Sequence, residues 1–199
     1  NSCNTWKTFL MKQLINTPFS LWEGELSLDI CNAIITEGLA QTKIQGTINN
    51  DNTIDENMRK GNIAWLAKNG WIDNLLFNYV SKANMLNDWF FHLTSREAPQ
   101  FSIYEKDEHY DWHRDCDIDH PLQRKLSVTV QLSDPTSYEG GDFHIRDYWN
   151  ENEIFSWHAG AKVQGTIIVF GSSLKHKVFP VTKGVRYSLV QWYSGPDFI

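Results

Sequence analysis

The stretch Tyr110-Asp111-Trp112-His113-Arg114-Asp115 combines an imidazole and a carboxylate at strand spacing. Alternate side chains of an extended strand share one face, so His113 and Asp115 should converge on one point. A second imidazole, His176, comes much later in the chain, shortly after the apolar run 166–170. Two histidines and one carboxylate on one face suit Fe(II), because the opposite coordination positions stay open. The sequence therefore predicts a metal site at His113, Asp115 and His176.

Arg186 follows His176 and lies between Val185 and the apolar pair 189–190. On an inward-facing strand, its guanidinium would offer two parallel hydrogen bonds to a carboxylate. A surface ion pair is the alternative interpretation, because most arginines are exposed. The apolar neighbours favour burial, and a buried guanidinium requires an anionic partner.

The choice of metal ligands leaves alternatives, because the chain contains seven histidines. His109 and His113 are spaced as a helical metal-binding pair would be, although Tyr110 and the neighbouring strand-like segments favour an extended conformation. His158 competes with His176 as the third ligand. We favour His176 because it follows an apolar strand and precedes Arg186.

Three motifs occur in a recognisable order. Tyr104, Tyr110 and the His113-x-Asp115 pair resemble Tyr-x-x-Gly-x-x-Tyr-x-x-His-x-Asp, with Asp107 in place of the glycine. A Gly-Gly turn at 139–143 and a closing block at 176–186 follow. This order resembles the iron(II)- and 2-oxoglutarate-dependent dioxygenases, in particular their prolyl 4-hydroxylase-like (PKHD-type) branch. Asp tolerates a left-handed backbone better than most residues, so the substitution at 107 is compatible with the turn.

The resemblance implies a double-stranded β-helix, or jelly roll, with catalytic Fe(II) held by His113, Asp115 and His176. It also implies that 2-oxoglutarate and O2 are cosubstrates, with the far carboxylate of 2-oxoglutarate bound by Arg186 and Tyr104. Ascorbate is a further candidate cofactor. The implied reaction hydroxylates a C–H bond, first of all in a peptidyl prolyl residue, and releases succinate and CO2.

A peptide or protein is the predicted substrate, and Tyr110, Trp112 and Arg59 are the candidate contacts. Aromatic grooves bind proline-rich segments well because the polyproline II conformation is already ordered. With 18 basic and 24 acidic residues, the formal charge of −6 argues against a nucleic acid. The loops at 51–56 and 149–153 are candidates for closing over such a peptide.

The pattern of apolar residues predicts a mainly β domain with helices in its first half. A helix should begin after Ser27 and end at Gly38, and a second should begin at Trp71 and keep helical spacing to Ala83. A helix or ordered arm is expected at 6–15. Strands are expected at 19–22, 43–48, 89–93, 100–104, 125–133, 143–146, 153–157, 166–170 and 186–192.

Length and composition favour a single domain over residues 1–199. Three cysteines form no CxxC pair, which favours a reducing compartment and a cytoplasmic protein. No apolar run is long enough for a transmembrane helix. The oligomeric state does not follow from the sequence.

Two other function classes remain open. A jelly roll with His and Asp ligands could be a cupin-like, non-oxidative metal enzyme, and one with exposed aromatic residues could be a carbohydrate-binding module. Arg186 argues against both, because neither needs a buried guanidinium near a metal.

Overall fold

The computed structural model describes residues 19–48, 53–116, 123–146, 154–156 and 160–196. In this part of the chain, fifteen strands accompany two α-helices, α1 (Leu28–Ala40) and α2 (Trp71–Leu86), and a short 3₁₀ helix, Gly160–Lys162. The strands are β1 (Phe19–Trp22), β2 (Ile44–Gln45), β3 (Arg59–Lys60), β4 (Asn62–Trp65), β5 (Ser95–Arg96), β6 (Gln100–Tyr104), β7 (His109–His113), β8 (Gln123–Gln131), β9 (Tyr138–Gly140), β10 (Phe143–Arg146), β11 (Ile154–Ser156), β12 (Ile167–Gly171), β13 (His176–Val178), β14 (Val181–Gly184) and β15 (Arg186–Gly195).

The strands form two main antiparallel sheets. The major sheet has the order β1-β12-β8-β15-β6-β4-β2, with β5 also paired to β15, and the minor sheet has the order β11-β10-β13-β7-β3. Strands β14 and β9 form a separate pair. Ile168 and Phe170 of the major sheet share an apolar cluster with Phe143, Ile145 and Val178 of the minor sheet. The sheets therefore pack face to face, which confirms the predicted jelly-roll core.

Strand β8 separates two environments. Leu126, Val128 and Val130 are buried in the cluster that also contains residues of both helices. Ser127 and Thr129 alternate with them and face the minor sheet. The helices thus cover one side of the major sheet, while its other side is lined partly by polar groups.

Helix α1 begins as predicted, because the Ser27 hydroxyl accepts a hydrogen bond from the Ile30 amide at 3.3 Å. The predicted end at Gly38 is wrong, since the helix continues to Ala40. A Cβ on Gly38 would collide with the ring of Phe101, so glycine is needed here for close packing of the helix on the sheet. Helix α2 follows the predicted apolar spacing. Neither α-helix of the described region has the length and apolar character needed to cross a membrane.

Two predicted strands differ from the structure. At 43–48, only Ile44–Gln45 pairs as a strand, and the predicted strand at 89–93 is absent. Asp88 and Phe90 adopt positive φ angles of 53° and 49°. The Asn84 side chain donates a hydrogen bond to the Phe91 carbonyl oxygen and accepts one from the Phe91 amide. This local turn prevents an extended conformation until β5. The predicted helix at 6–15 and the loop at 149–153 lie outside the described residues.

Candidate functional site

Strands β7 and β13 bring the two histidines together. His113 and His176 are direct partners in the register of this antiparallel pair. Asp115 follows two residues after the end of β7. Its Oδ1 lies 3.6 Å from His113 Nε2 and its Oδ2 lies 3.4 Å from His176 Nε2. One ligand atom from each residue lies within 4.8 Å of the others, a spacing that could hold one metal ion.

Backbone carbonyls orient both imidazoles. His113 Nδ1 lies 2.7 Å from the Asp111 carbonyl oxygen, and His176 Nδ1 lies 2.9 Å from that of Leu174. A carbonyl only accepts hydrogen bonds, so each Nδ1 must carry the proton. Each Nε2 then directs its lone pair at the shared centre, which is the arrangement that a metal-binding histidine needs.

The protonation states fit a metal site. Burial, followed by the nearby His176, lowers the pKa of His113 to about 3, so this imidazole is neutral at physiological pH. Burial opposes ionisation of Asp115, but the neighbouring His176 and His113 outweigh it and hold the pKa of this carboxyl below its usual value. The donor set of two imidazoles and one carboxylate fits Fe(II).

Aromatic rings pack around the histidines. The Tyr110 ring stacks on His113 with centroids 3.5 Å apart, and Phe170 packs edge-on against His176 at 4.8 Å. Both rings pack against the ligand side chains and also line a pocket into which the site opens. Its lining comprises Arg59, Gln100, Ser102, Tyr104, Tyr110, His113, Asp115, Thr129, Phe143, Phe170, His176, Val178, Arg186, Ser188, Val190 and Trp192.

Arg186 lies in this pocket with only 3% of its surface exposed. It donates one hydrogen bond to Ser188 Oγ at 3.2 Å, and none of the described carboxylates forms a salt bridge with it. Tyr104 lies opposite Arg186 on β6, with the guanidinium carbon 5.8 Å from its ring centroid. Gly141 has a φ of 63°, and a Cβ there would come within 2.8 Å of Arg186 Cδ. The Gly-Gly turn thus makes room for the arginine.

Two of the three predicted substrate-contact residues line the pocket. Tyr110 and Arg59 line the pocket, and the Arg59 guanidinium lies 4.6 Å from the Tyr110 ring centroid. Trp112 lies outside the lining, on the opposite side of β7, with the Arg146 guanidinium 4.3 Å from its ring. Contact of Trp112 with the substrate stays a prediction.

The other histidine candidate within the described residues does not join the cluster. His109 Nε2 instead lies 3.1 Å from the Asn57 carbonyl oxygen. His158 lies outside the described residues. Asp107, predicted to accept a left-handed backbone, has a φ of 67°.

Two buried serines of the site were not predicted. Ser127 Oγ donates to Asp115 Oδ2 at 2.7 Å and lies 2.9 Å from Ser172 Oγ. The alternation of polar and apolar residues in β8 indicates that Ser127 faces the site. The contact with Ser172 depends on how three distant segments meet, which the sequence does not show.

Residues 99–194 match the sequence profile of the 2OG-Fe(II) oxygenase superfamily. The PKHD-type hydroxylase YbiX of Escherichia coli K12 is 35% identical over 100 residues, which cover 48% of this chain and 42% of the relative. YbiX of Shigella sonnei matches to the same extent, at 35% over 42% of its length. The chain therefore spans less than half the length of these curated relatives.

Solved structures share the fold at low identity. A Pseudomonas putida prolyl-4-hydroxylase superimposes with a TM-score of 0.73 at 18% identity, covering 94% of this chain and 98% of that one. A Trichoplax adhaerens prolyl hydroxylase, in complex with a hypoxia inducible factor peptide fragment, gives 0.69 at 17% identity over 98% and 93%. The matched sequence region contains His113, Asp115, His176 and Arg186. Residues 99–194 of this chain are therefore similar to the 2OG-Fe(II) oxygenase superfamily.

Proposed function

We propose that this chain is an Fe(II)- and 2-oxoglutarate-dependent hydroxylase that acts on a peptidyl residue, with prolyl as the first candidate. The observation that carries the proposal is a cluster of two histidines and one carboxylate that shares a pocket with a buried arginine. His113, Asp115 and His176 would hold the iron. Bound Fe(II) and 2-oxoglutarate would together supply the oxidising power for C–H hydroxylation by O2, with release of succinate and CO2.

The charges in the pocket support a dicarboxylate cosubstrate. Asp115 is the only acidic residue in the described lining, whereas Arg59 and Arg186 are both cationic. Arg186 is buried without a carboxylate partner among the described residues, so an anionic ligand would satisfy it. Tyr104 lies beside it and supplies a hydroxyl for the same carboxylate. Ascorbate, as a reductant, remains part of the proposal.

A peptide acceptor is supported by the aromatic groups near the metal. Tyr110 and Trp192 line the pocket, and Trp65 lies next to Trp192 with ring centroids 6.3 Å apart. Flat aromatic surfaces bind extended, proline-rich segments well. Arg59 lies against Tyr110 and has a buried Nε without a partner among the described residues, so it is a candidate donor to a substrate carbonyl. The Trichoplax neighbour was solved with a peptide, which is compatible with this substrate class.

The alternatives explain less of the pocket. A non-oxidative metal enzyme or a carbohydrate-binding module would not require a buried guanidinium that shares the pocket with the metal ligands and has no carboxylate partner among the described residues. The first test is an anaerobic titration of the Fe(II) protein with 2-oxoglutarate. We expect a visible charge-transfer band, which neither alternative would produce.

The second test identifies the acceptor. The protein, Fe(II), 2-oxoglutarate and ascorbate are incubated separately with a proline-rich peptide, free proline and methylated single-stranded DNA. We expect the peptide to gain the mass of one oxygen atom, together with succinate release. The matched control is His176→Ala, which should give neither product. Demethylation of DNA without peptide oxidation would contradict the peptide proposal, and oxidation of free proline alone would indicate a small-molecule substrate.

A further inference from the structure

A chain of buried hydroxyl groups connects Asp115 to the turn that precedes His176. Ser127 Oγ lies 2.7 Å from Asp115 Oδ2 and 2.9 Å from Ser172 Oγ, and both serines are fully buried. An ionised carboxylate can only accept hydrogen bonds, so Ser127 donates its single proton to Asp115. Ser127 must then accept the proton of Ser172. The direction of the chain is therefore Ser172 to Ser127 to Asp115.

The backbone joins the same three segments. The amides of Asp115 and Cys116 both donate to the Ser172 carbonyl oxygen, at 3.0 and 3.1 Å. The Ser172 amide donates to the Lys125 carbonyl oxygen at 3.0 Å. The residues after β7, the start of β8 and the turn after β12 are thus held together at Ser172. This junction fixes where the Asp115 carboxylate can lie relative to the strand that carries His176.

The two oxygens of Asp115 have different surroundings. Each oxygen lies near a histidine nitrogen, Oδ1 at 3.6 Å from His113 Nε2 and Oδ2 at 3.4 Å from His176 Nε2. Oδ2 also accepts the hydrogen bond from Ser127, whereas Oδ1 accepts none from the described residues. We propose that Ser127, supported by Ser172, is a positioning residue that occupies Oδ2 and leaves Oδ1 as the single carboxylate ligand of the metal. This inference rests on the proposed metal site and adds how that site is kept open.

The consequence concerns the coordination positions on the pocket side. A carboxylate that bound the metal through both oxygens would occupy a position that the proposed cosubstrate or O2 requires. A hydrogen bond from a fixed donor holds the carboxylate in one orientation and opposes its rotation. Ser127 therefore favours a monodentate aspartate, and its removal should change the geometry as well as the strength of metal binding.

The other buried serines near the pocket have other partners. Ser102 Oγ accepts from Gln100 Nε2, Ser188 Oγ accepts from Arg186, and Ser133 Oγ accepts from the Tyr187 amide at 2.6 Å. Ser133 lies just beyond β8 and is 3% exposed, so it offers a matched control. Ser133→Ala removes a buried hydroxyl from the same segment without touching the metal ligands.

The test is titration of the metal-free protein with Co(II), whose visible absorption reports both affinity and coordination geometry. We expect Ser127→Ala to weaken Co(II) binding by about 10- to 100-fold and to alter the spectrum. Ser127→Thr keeps the hydroxyl, so its Co(II) affinity and spectrum should match those of the wild-type protein. Ser172→Ala should have a smaller effect, and the double variant should bind no more weakly than Ser127→Ala, because Ser172 acts through Ser127.

The outcomes separate this inference from the proposed function. Failure of the wild-type protein to bind Co(II), or unchanged binding by His176→Ala, would overturn the proposed metal site. Normal wild-type binding combined with unchanged affinity and spectrum in Ser127→Ala would overturn only the role of Ser127. An equal loss in Ser133→Ala would also overturn it, since the effect would then come from general destabilisation. Thermal melting of each variant shows which of them retain the fold.

Discussion

Arg186 shows how a single buried charge restricts the ligand. Its guanidinium is held by Ser188 and by the space that Gly141 leaves, so its orientation is fixed before any ligand arrives. Only part of its hydrogen-bonding capacity is used within the described residues. A planar carboxylate can take the remaining donors in a bidentate arrangement.

Replacement of Arg186 should therefore affect the cosubstrate rather than the metal. Arg186→Lys keeps the charge but loses the bidentate geometry, so the KM for 2-oxoglutarate should rise. Arg186→Ala should lose about 2–5 kcal/mol of 2-oxoglutarate binding. Steady-state kinetics measure the effect on 2-oxoglutarate binding, and Co(II) titration measures the effect on metal binding. Lys183→Ala is the control, because Lys183 forms an exposed ion pair with Glu139. This variant should leave the KM for 2-oxoglutarate and the Co(II) affinity unchanged. Unaltered 2-oxoglutarate affinity in both Arg186 variants would place this residue outside the binding site.

Residue spacing anticipated some of these positions and not others. Strand periodicity predicts that His113 and Asp115 converge, and the structure places both with His176, although Asp115 lies beyond the end of β7. Trp112, predicted as a substrate contact, is not among the residues that line the pocket. Ser172 could not be anticipated, because its contact with Ser127 joins segments that are 45 residues apart.

At the level of elements, helix α2 is attached to the major sheet through a buried carboxylate. Asp73 is completely buried in the first turn of α2 and accepts a hydrogen bond from the Asn69 amide at 2.6 Å. It also accepts from Gln191 of β15 and pairs with Arg96 Nε at 3.0 Å. The carboxylate thus joins the start of the helix to two paired strands.

Loss of this carboxylate should destabilise the fold without changing the site directly. Asp73→Ala removes the acceptor of the Asn69 amide and of Gln191 and the ion-pair partner of Arg96, so the free energy of unfolding should fall by about 2–4 kcal/mol. Urea denaturation measures this change. Asp29→Ala removes an exposed carboxylate from the first turn of α1 and should cost far less. Equal losses in the two variants would show that burial of Asp73 is not the cause.

Strand β4 places a further aromatic residue, Trp65, beside the pocket. Trp65 pairs with Gln100, a residue of the lining, so both side chains lie on the same face of the sheet. The Trp65 side chain is 41% exposed although it is large and apolar. This combination suits a substrate segment that continues beyond the pocket.

Trp65→Ala should accordingly raise the KM for a peptide substrate and leave the KM for 2-oxoglutarate unchanged, because only the peptide would reach this ring. Kinetics with peptides of increasing length measure the effect, which should disappear for the shortest peptide. Trp71→Ala is the control, since Trp71 is 46% exposed on helix α2 and does not line the pocket. A similar change in both variants would argue against a specific contact at Trp65.

The accuracy of the predicted elements followed their length and regularity. The strands at 100–104 and 143–146 and the helix from Trp71 have strong periodic patterns, and they appear where expected. Strands β2, β3 and β13 are only two or three residues long, so their pairing depends on tertiary contacts that no local pattern records. The absent strand at 89–93 has apolar residues of the right type, but the hydrogen bonds of Asn84 favour a turn.

For the molecule as a whole, the metal should act as a stabilising ligand. The three ligands come from β7, the segment after it and β13, so they converge only in the folded state. Free Mn(II) at about 100 times its Kd should add about 2.7 kcal/mol of stability and raise the Tm by about 5–10 °C. Differential scanning calorimetry measures the shift. His176→Ala should show none, and an equal shift in that variant would mean that Mn(II) binds elsewhere.

The alternation along β8 also constrains how this protein can change during evolution. One face of β8 packs in the core through Leu126, Val128 and Val130. The other face points to the metal site and the pocket through Ser127 and Thr129. A substitution at one of these positions should therefore affect either the core or the site. A deletion of one residue within the strand would exchange the two sets and place hydroxyls in the core and aliphatic groups beside the metal. Homologues should therefore tolerate substitutions here, including new pocket chemistry, but they should carry their insertions and deletions outside this strand.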